Sequence, residues 1–360
     1  MAISIGVRLG LLCTGVSMLA LAASAGGAAA APTAARPGLR IDPVPPERHA
    51  HAVPGSGSPW QEVAHQPSFN PGAMFLLTDG TVLVQNGGPK EGGTNKWWRL
   101  APNAAGSYVN GTWRPVASMP SNYGPLYYSS AVLPDGQFVV MGGEYNFGKA
   151  VETNLGAIYN PVRNTWFPVP DPSGSEWSNI GDAPGAVLPN GTFMIGASGF
   201  SGDKAEALFN EARLSWRGTG RGKVGSNGEQ GWSLLPNGKL LTVDTIDHPG
   251  EVEFYTPSTG SWKSAGKTPV NIVDKNGEIG PQILRPDGTV LAVGATGSNA
   301  IYNTATGKWS GGPRLPLVNG KRLDVADGPA AVLPDGDVLI FASPGEYKPR
   351  RASSTSTARS

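Results

Sequence analysis

The sequence predicts an all-β fold: a β-propeller of about six four-stranded blades, closed by an N-terminal outer strand, with an incomplete last blade. Three observations predict it. A hairpin signal recurs six times, an aromatic–tryptophan pair recurs four times, and a segment near the N-terminus matches the outer strand of the first full unit.

The hairpin signal is a short run ending in an Asp-Gly or Asn-Gly turn. It reads LLTDG at Asp79, VLPDG at Asp135, VLPNG at Asn190, LLPNG at Asn237, LRPDG at Asp287 and VLPDG at Asp335, at spacings of 56, 55, 47, 50 and 48 residues. Asp-Gly and Asn-Gly between apolar runs mark two-residue hairpins, because glycine adopts positive φ without steric cost. A second apolar strand follows each turn, as at 81–84 and 137–141. The later half of each unit repeats as well. Tyr159 and Trp166, Phe209 and Trp216, Tyr255 and Trp262, and Tyr302 and Trp309 all stand seven apart, with turn formers such as Asn160-Pro161 between them. In the first unit Tyr108 stands only five before Trp113. Four strands per period of about 50 residues make a propeller blade. The repeated tryptophans read as packing residues.

Ring closure is legible too. Trp60, Val63, Ala64 and Pro67 match Trp113, Val116, Ala117 and Pro120 in spacing. An outer strand at 60–67 would complete a last blade whose inner strands come from the C-terminal end, hiding open sheet edges.

The Gly87-Gly88 and Gly142-Gly143 doublets, with the aromatic–tryptophan pairs, resemble kelch repeats across about residues 59–346. Later units replace the doublet, with Ala197-Ser198, Asp244 and Gly294-Ala295. Kelch-like propellers include copper-radical sugar oxidases similar to galactose oxidase. That resemblance implies two histidines, two tyrosines and a tyrosine-crosslinked cysteine. The histidines here are His49, His51, His65 and His248, and the one cysteine is Cys13. No copper site carries over residue by residue, so copper and galactose oxidase activity are disfavoured.

Around the propeller, residues 1–31 read as a signal peptide: Arg8, a weakly apolar run at 9–25, then small residues through Ala31. Export to a secreted, periplasmic or extracellular location follows, as does a mature chain without cysteine, disulfide or thiolate metal site. Residues 32–58 read as a disordered linker and 347–360 as an aberrant low-complexity tail. Reading 349–360 one base earlier, if its serines use TCN codons, restores an aromatic strand, so the tail reads as a frameshift or truncation. Glycine (51) and proline (33) are abundant, yet 39% of residues are hydrophobic, which suits short strands and tight turns rather than disorder. Net charge is +1 with 15% charged residues, which leaves no footprint for nucleic acid. A monomer with no membrane segment beyond the signal peptide is expected.

Function should sit on one face. The loops between second and third strands vary in length, and the innermost strands begin on their side, where function on a rigid scaffold concentrates. Four of these strands begin with an acid: Asp182, Glu229 and Asp327 stand eight residues before their turn residue, and Glu278 stands nine. Asn70 and Tyr127 or Tyr128 take that place in the first two blades. The expectation is a partial ring of carboxylates at the channel mouth, extended by Glu144, Tyr145, Asp244 and His248, with Trp177, Trp232 and Asp247 nearby. Such acids can bind backbone N–H groups, hold a cation such as Ca²⁺, bind sugar hydroxyls, or shift one another's pKa for acid/base work. No motif demands a cofactor. The leading expectation is an exported, non-catalytic binding or scaffold propeller that takes a glycan or protein ligand through this face. The alternative is a carbohydrate-active enzyme using a carboxylate pair at the mouth.

Overall fold

The computed structural model describes residues 63–344, apart from 89–91, 199–203, 319, 329, 333–335, 337 and 341. The expected signal peptide, linker, Trp60 and C-terminal tail lie outside the described residues.

Five four-stranded antiparallel sheets follow one another along the chain. The first comprises Pro71–Leu76, Val82–Asn86, Trp97–Ala101 and Thr112–Pro115. The second has Ser129–Val132, Phe138–Met141, Gly156–Asn160 and Thr165–Pro168, and the third Gly185–Val187, Phe193–Gly196, Glu206–Asn210 and Ser215–Thr219. Ser233–Leu234, Leu240–Val243, Glu251–Thr256 and Ser261–Lys267 form the fourth. The fifth is Gln282–Leu284, Thr289–Ala292, Ala300–Asn303 and Lys308–Gly311. Ala330–Val332 pairs with Val338–Ile340 as the inner hairpin of a sixth blade, and no further strand joins that hairpin among the described residues. This is the propeller the repeats predict, with two strands of its last blade among the described residues.

Each hairpin closes by one device. The turn Asp or Asn accepts a hydrogen bond from the backbone N–H two residues on: Thr81 to Asp79 (3.0 Å), Gln137 to Asp135 (2.8 Å), Thr192 to Asn190 (3.1 Å), Lys239 to Asn237 (3.1 Å) and Thr289 to Asp287 (2.9 Å). The following glycine takes positive φ, 77° at Gly80 and 85° at Gly136, where a β-carbon would be strained.

The seven-residue spacing has an equally local cause. Tyr159 faces Trp166, Phe209 faces Trp216, Tyr255 faces Trp262 and Tyr302 faces Trp309 as direct cross-strand partners, with ring centroids 5.1, 4.7, 5.4 and 5.3 Å apart. In the first blade Leu100 takes the aromatic place opposite Trp113, and Tyr108 instead donates its hydroxyl to the Gly80 carbonyl at 2.6 Å.

The core lies between blades. Val139 and Met141 of the second blade pack with Phe193, Ile195 and Phe209 of the third, and Leu241 and Val243 of the fourth with Val290 and Ala292 of the fifth. Second strands such as Phe138–Met141 and Leu240–Val243 are buried at every residue, because neighbouring blades cover both faces. Each such side chain contributes about 1.5–3 kcal/mol on burial.

Indole N–H groups stitch the outer edge. Trp166 donates to the Ala117 carbonyl (3.0 Å), Trp216 to Pro170 (2.7 Å) and Trp113 to His65 (2.8 Å). Each acceptor stands four or five residues past the preceding repeat tryptophan. His65 therefore sits where the tail of a previous outer strand belongs. The strand expected at 60–67 falls largely outside the described residues: 59–62, which match Thr112–Pro115, are not described, and 63–67 match 116–120, which carry no strand in the first blade either.

Candidate active site at the channel mouth

The acid-bearing positions share a backbone device. Tyr127, Glu229 and Asp327 adopt left-handed φ of 54°, 56° and 52°, which costs a non-glycine residue about 1–3 kcal/mol. Where the acid itself is not left-handed, the preceding glycine is: Gly181 (65°) before Asp182 and Gly277 (89°) before Glu278. The chain thus turns sharply at the foot of each inner strand, and the expected slot in the second blade belongs to Tyr127 rather than Tyr128.

Local bonds then hold the acids. Asp274 accepts from the backbone N–H groups of Asn276 (2.7 Å) and Glu278 (3.0 Å), closing a tight turn under Glu278. The Asp327 N–H donates to the Ile279 carbonyl at 3.2 Å, which ties the fifth and sixth blades together beside Glu278. Ser198 donates to Asp182 at 2.8 Å.

Oxygens of Glu229, Glu278 and Asp327 lie within 4.8 Å of one another. Glu229 is also hydrogen-bonded to Asp182, and Glu278 to Asp327. Burial, then the neighbouring Asp182 and Glu278, push Glu229 up to about 9. Burial, then Asp327, push Glu278 up to about 8. Asp327, exposed at the rim, is also raised, first by desolvation against the wall, while its hydrogen bond from Glu278 favours its ionised form. Glu229 thus faces Asp182, and Glu278 faces Asp327. Glu229 and Glu278 hold protons at neutral pH.

Glu144 joins the group from the long loop of the second blade. It is raised by burial and by the charge of Asp182, and it bonds to Tyr145. Glu152 was not legible in the sequence. It is 6% exposed, left-handed at φ 47°, and pushed to about 7 by burial and by Asp182 and Glu144. It lies in a loop with no repeat counterpart, so only its charge hinted at it.

The remaining expected residues are placed elsewhere. The Tyr128 hydroxyl donates to the Gln85 side chain (2.9 Å) and its ring packs on Phe75 in the core between the first two blades. Burial raises its phenol strongly. Asp244 is buried and accepts from the N–H groups of Ile246, Asp247 and His248, so it shapes its own loop. His248 is exposed on that loop. The Asn70 side chain donates to the Gly88 carbonyl, Trp177 is buried in the core between the second and third blades, and Trp232 packs against Trp262.

No protein-family profile and no curated protein matches the sequence. The fold is shared by 992 solved chains. Among them is a fungal alcohol oxidase of the AA5 family in complex with copper, at 18% identity and a TM-score of 0.54, over 78% of this chain and 59% of that one. The present chain thus spans well under two thirds of that oxidase. This likeness shows the architecture alone. A fold so widely shared assigns no activity.

Copper itself does not fit the mouth. Its donors are carboxylate oxygens, which suit hard cations, whereas copper favours imidazole and thiolate. Among the described residues, His65 lies against Trp113 of the first blade and His248 on the exposed loop at 244–250, both apart from the carboxylate cluster. The expectation of a non-catalytic binding module is corrected. The oxidase that shares the fold is a catalyst. Among the described residues no helix is long and apolar enough to cross a membrane.

Proposed function

We propose that this propeller is a glycoside-cleaving enzyme whose reacting groups are Glu229 and Asp327, with Glu278 supporting Asp327. The observation that carries this reading is the convergence of three carboxyls within 4.8 Å, of which Glu229 is protonated at neutral pH and Asp327 accepts a hydrogen bond from Glu278. Glycoside cleavage needs one such protonated and one ionised group. Separations of about 5–5.5 Å between the two carboxyls belong to the retaining reaction. In the first step Glu229 gives its proton to the glycosidic oxygen as the C1–O bond breaks, and the Asp327 carboxylate bonds to C1. In the second, Glu229 removes a proton from water, whose oxygen takes C1 and frees Asp327. Glu278 donates its hydrogen bond to Asp327 and favours the ionised form of that group.

The test is turnover of a panel of aryl glycosides by the folded protein, with the anomer of the product read by NMR. Glu229→Gln and Asp327→Asn should each lower kcat by at least about 10²–10⁴-fold, with the configuration retained in wild type. Absence of turnover across the panel, or turnover indifferent to both changes, overturns the reading. The same three carboxyls are a hard-donor set for Ca²⁺, which requires them ionised. Added Ca²⁺ should therefore inhibit by competing with the Glu229 proton. In this reading the protein is exported, works as a monomer and takes a glycan as substrate.

A further inference from the structure

The long loop of the second blade, with Tyr145–Asn146 and Lys149–Ala150, forms a small sheet with Pro125–Leu126, which leads into that blade's innermost strand beside the mouth. Tyr127, at the slot that Glu229 and Asp327 fill in other blades, is 58% exposed. Its ring meets Tyr145 edge to face, with centroids 6.1 Å apart. The Glu144 N–H donates to the Tyr127 carbonyl at 3.0 Å, and the Tyr145 side chain bonds the Glu144 carboxyl. Glu144 in turn stands in the field of Asp182 and Asp327. An aromatic pair, Tyr127 exposed and Tyr145 half-buried, thus borders a cluster of acids; of the ion pairs among the described residues, none involves Glu144, Asp182, Glu229, Glu278 or Asp327.

We propose that Tyr127, Tyr145 and Glu144 form a subsite for a positively charged amino sugar next to the reacting carboxyls. This inference rests on the glycoside-cleaving reading and names its substrate class. Two independent effects select the same ligand. The face of a tyrosine ring attracts a cation through its quadrupole and accepts the C–H face of a pyranose. Glu144 and the Asp327 carboxylate of the proposed reaction draw in an ammonium group and repel a uronate. A 2-amino-2-deoxy sugar satisfies both; its N-acetyl form keeps the stacking and loses the charge.

The experiment is calorimetric titration of the intact protein, carrying Glu229→Gln to stop turnover, with three probes: a glucosamine tetramer, an N-acetylglucosamine tetramer and an oligogalacturonate. The glucosamine tetramer should bind about tenfold tighter than its acetylated form, with the preference shrinking as salt rises. The uronate should not bind. Tyr127→Ala should weaken the amino sugar about tenfold, whereas Tyr127→Phe, which keeps the ring, should stay within about twofold of the parent. Tyr145→Phe, which keeps the ring and frees Glu144, should narrow the preference for the charged sugar. Equal affinity for charged and acetylated tetramers, or full binding by a folded Tyr127→Ala protein, overturns the subsite. Turnover of neutral glycosides with no amino-sugar preference overturns the subsite and leaves the proposed activity standing. Tyr127-dependent binding of glucosamine without turnover of any glycoside upholds the subsite and overturns the hydrolytic reading.

Discussion

Two acidic regions of this propeller use the same residue types to opposite ends. Between the third and fourth blades, Glu253 accepts from Lys223 (3.1 Å) and from the N–H groups of Val224 (2.9 Å) and Gly225 (3.1 Å). Both side chains are nearly inaccessible, at 3% for Glu253 and 1% for Lys223. Lys223 also lies over the Trp262 ring and bonds the Gln230 side chain. Glu206 beside them, pushed up to about 8 mainly by burial, takes the Trp262 indole N–H at 2.6 Å. At the mouth, one residue along from Gln230, Glu229 meets other acids instead. Burial against a cation and two N–H donors, as at Glu253, makes a joint, whereas burial short of such partners, as at Glu229 and also at Glu206, keeps a proton on the acid. The difference teaches that the partner set, not the carboxylate, separates a structural acid from a reactive one.

That contrast can be broken at its strong side first. Lys223→Met leaves Glu253 buried without its cation and should cost about 3–5 kcal/mol in chemical unfolding. Lys223→Met combined with Glu253→Leu should recover much of that loss, because neither charge is then stranded. A loss under about 1 kcal/mol for the single change would mean that the joint is not ionic in effect.

The mouth responds to pH. Glu229 and Glu278 titrate near 9 and 8 in the folded protein, against about 4.3 for an unfolded glutamate. From roughly pH 5 to 9 the folded state holds the extra protons, so stability falls as pH rises through that window. The melting temperature should drop across it, and the drop should flatten in Glu229→Gln and Glu278→Gln. A wild-type profile that is level from pH 5 to 9, within the error of the melts, would refute the stored protons. Activity should fall on the alkaline side as Glu229 loses its proton.

Smaller effects sharpen the comparison. Trp262→Phe removes the hydrogen bond to Glu206 while keeping most of the ring packing, and should cost about 1–3 kcal/mol by leaving a buried carboxyl oxygen unmet. Asn190→Ala, which removes one uncharged turn acceptor, should cost about 1 kcal/mol and leave the pH profile unchanged. Thermal melts at fixed pH check both.

Legibility followed locality. The Asp-Gly and Asn-Gly turns and the seven-residue aromatic pairs were readable because each is made by neighbours along the chain, within one hairpin. Asp182, Glu229, Glu278 and Asp327 were readable as a ring because each holds a nearly fixed offset from its own turn, and a propeller carries equal offsets to one end of the channel. Tyr128 and Asp244 misled because polarity near the right offset says nothing about which way the backbone turns: Tyr128 faces inward to Gln85 and Asp244 folds back on its own loop. Glu152 and the Lys223–Glu253 joint left no signal, since no repeat places them.

The sequence by itself determined the blade, its turns, its cross-strand aromatics and the rank of acids facing one end, because short-range sterics and a fixed period need no distant partner. Only the tertiary structure decided which acids meet. The Asp327 N–H bonds the Ile279 carbonyl across two blades, Lys223 reaches Glu253 across thirty residues, and of the two tyrosines expected at one slot Tyr127 takes it. Charge interactions act through space and dielectric rather than along the chain, so the protonation of each carboxyl is set only once the ring has brought its neighbours in.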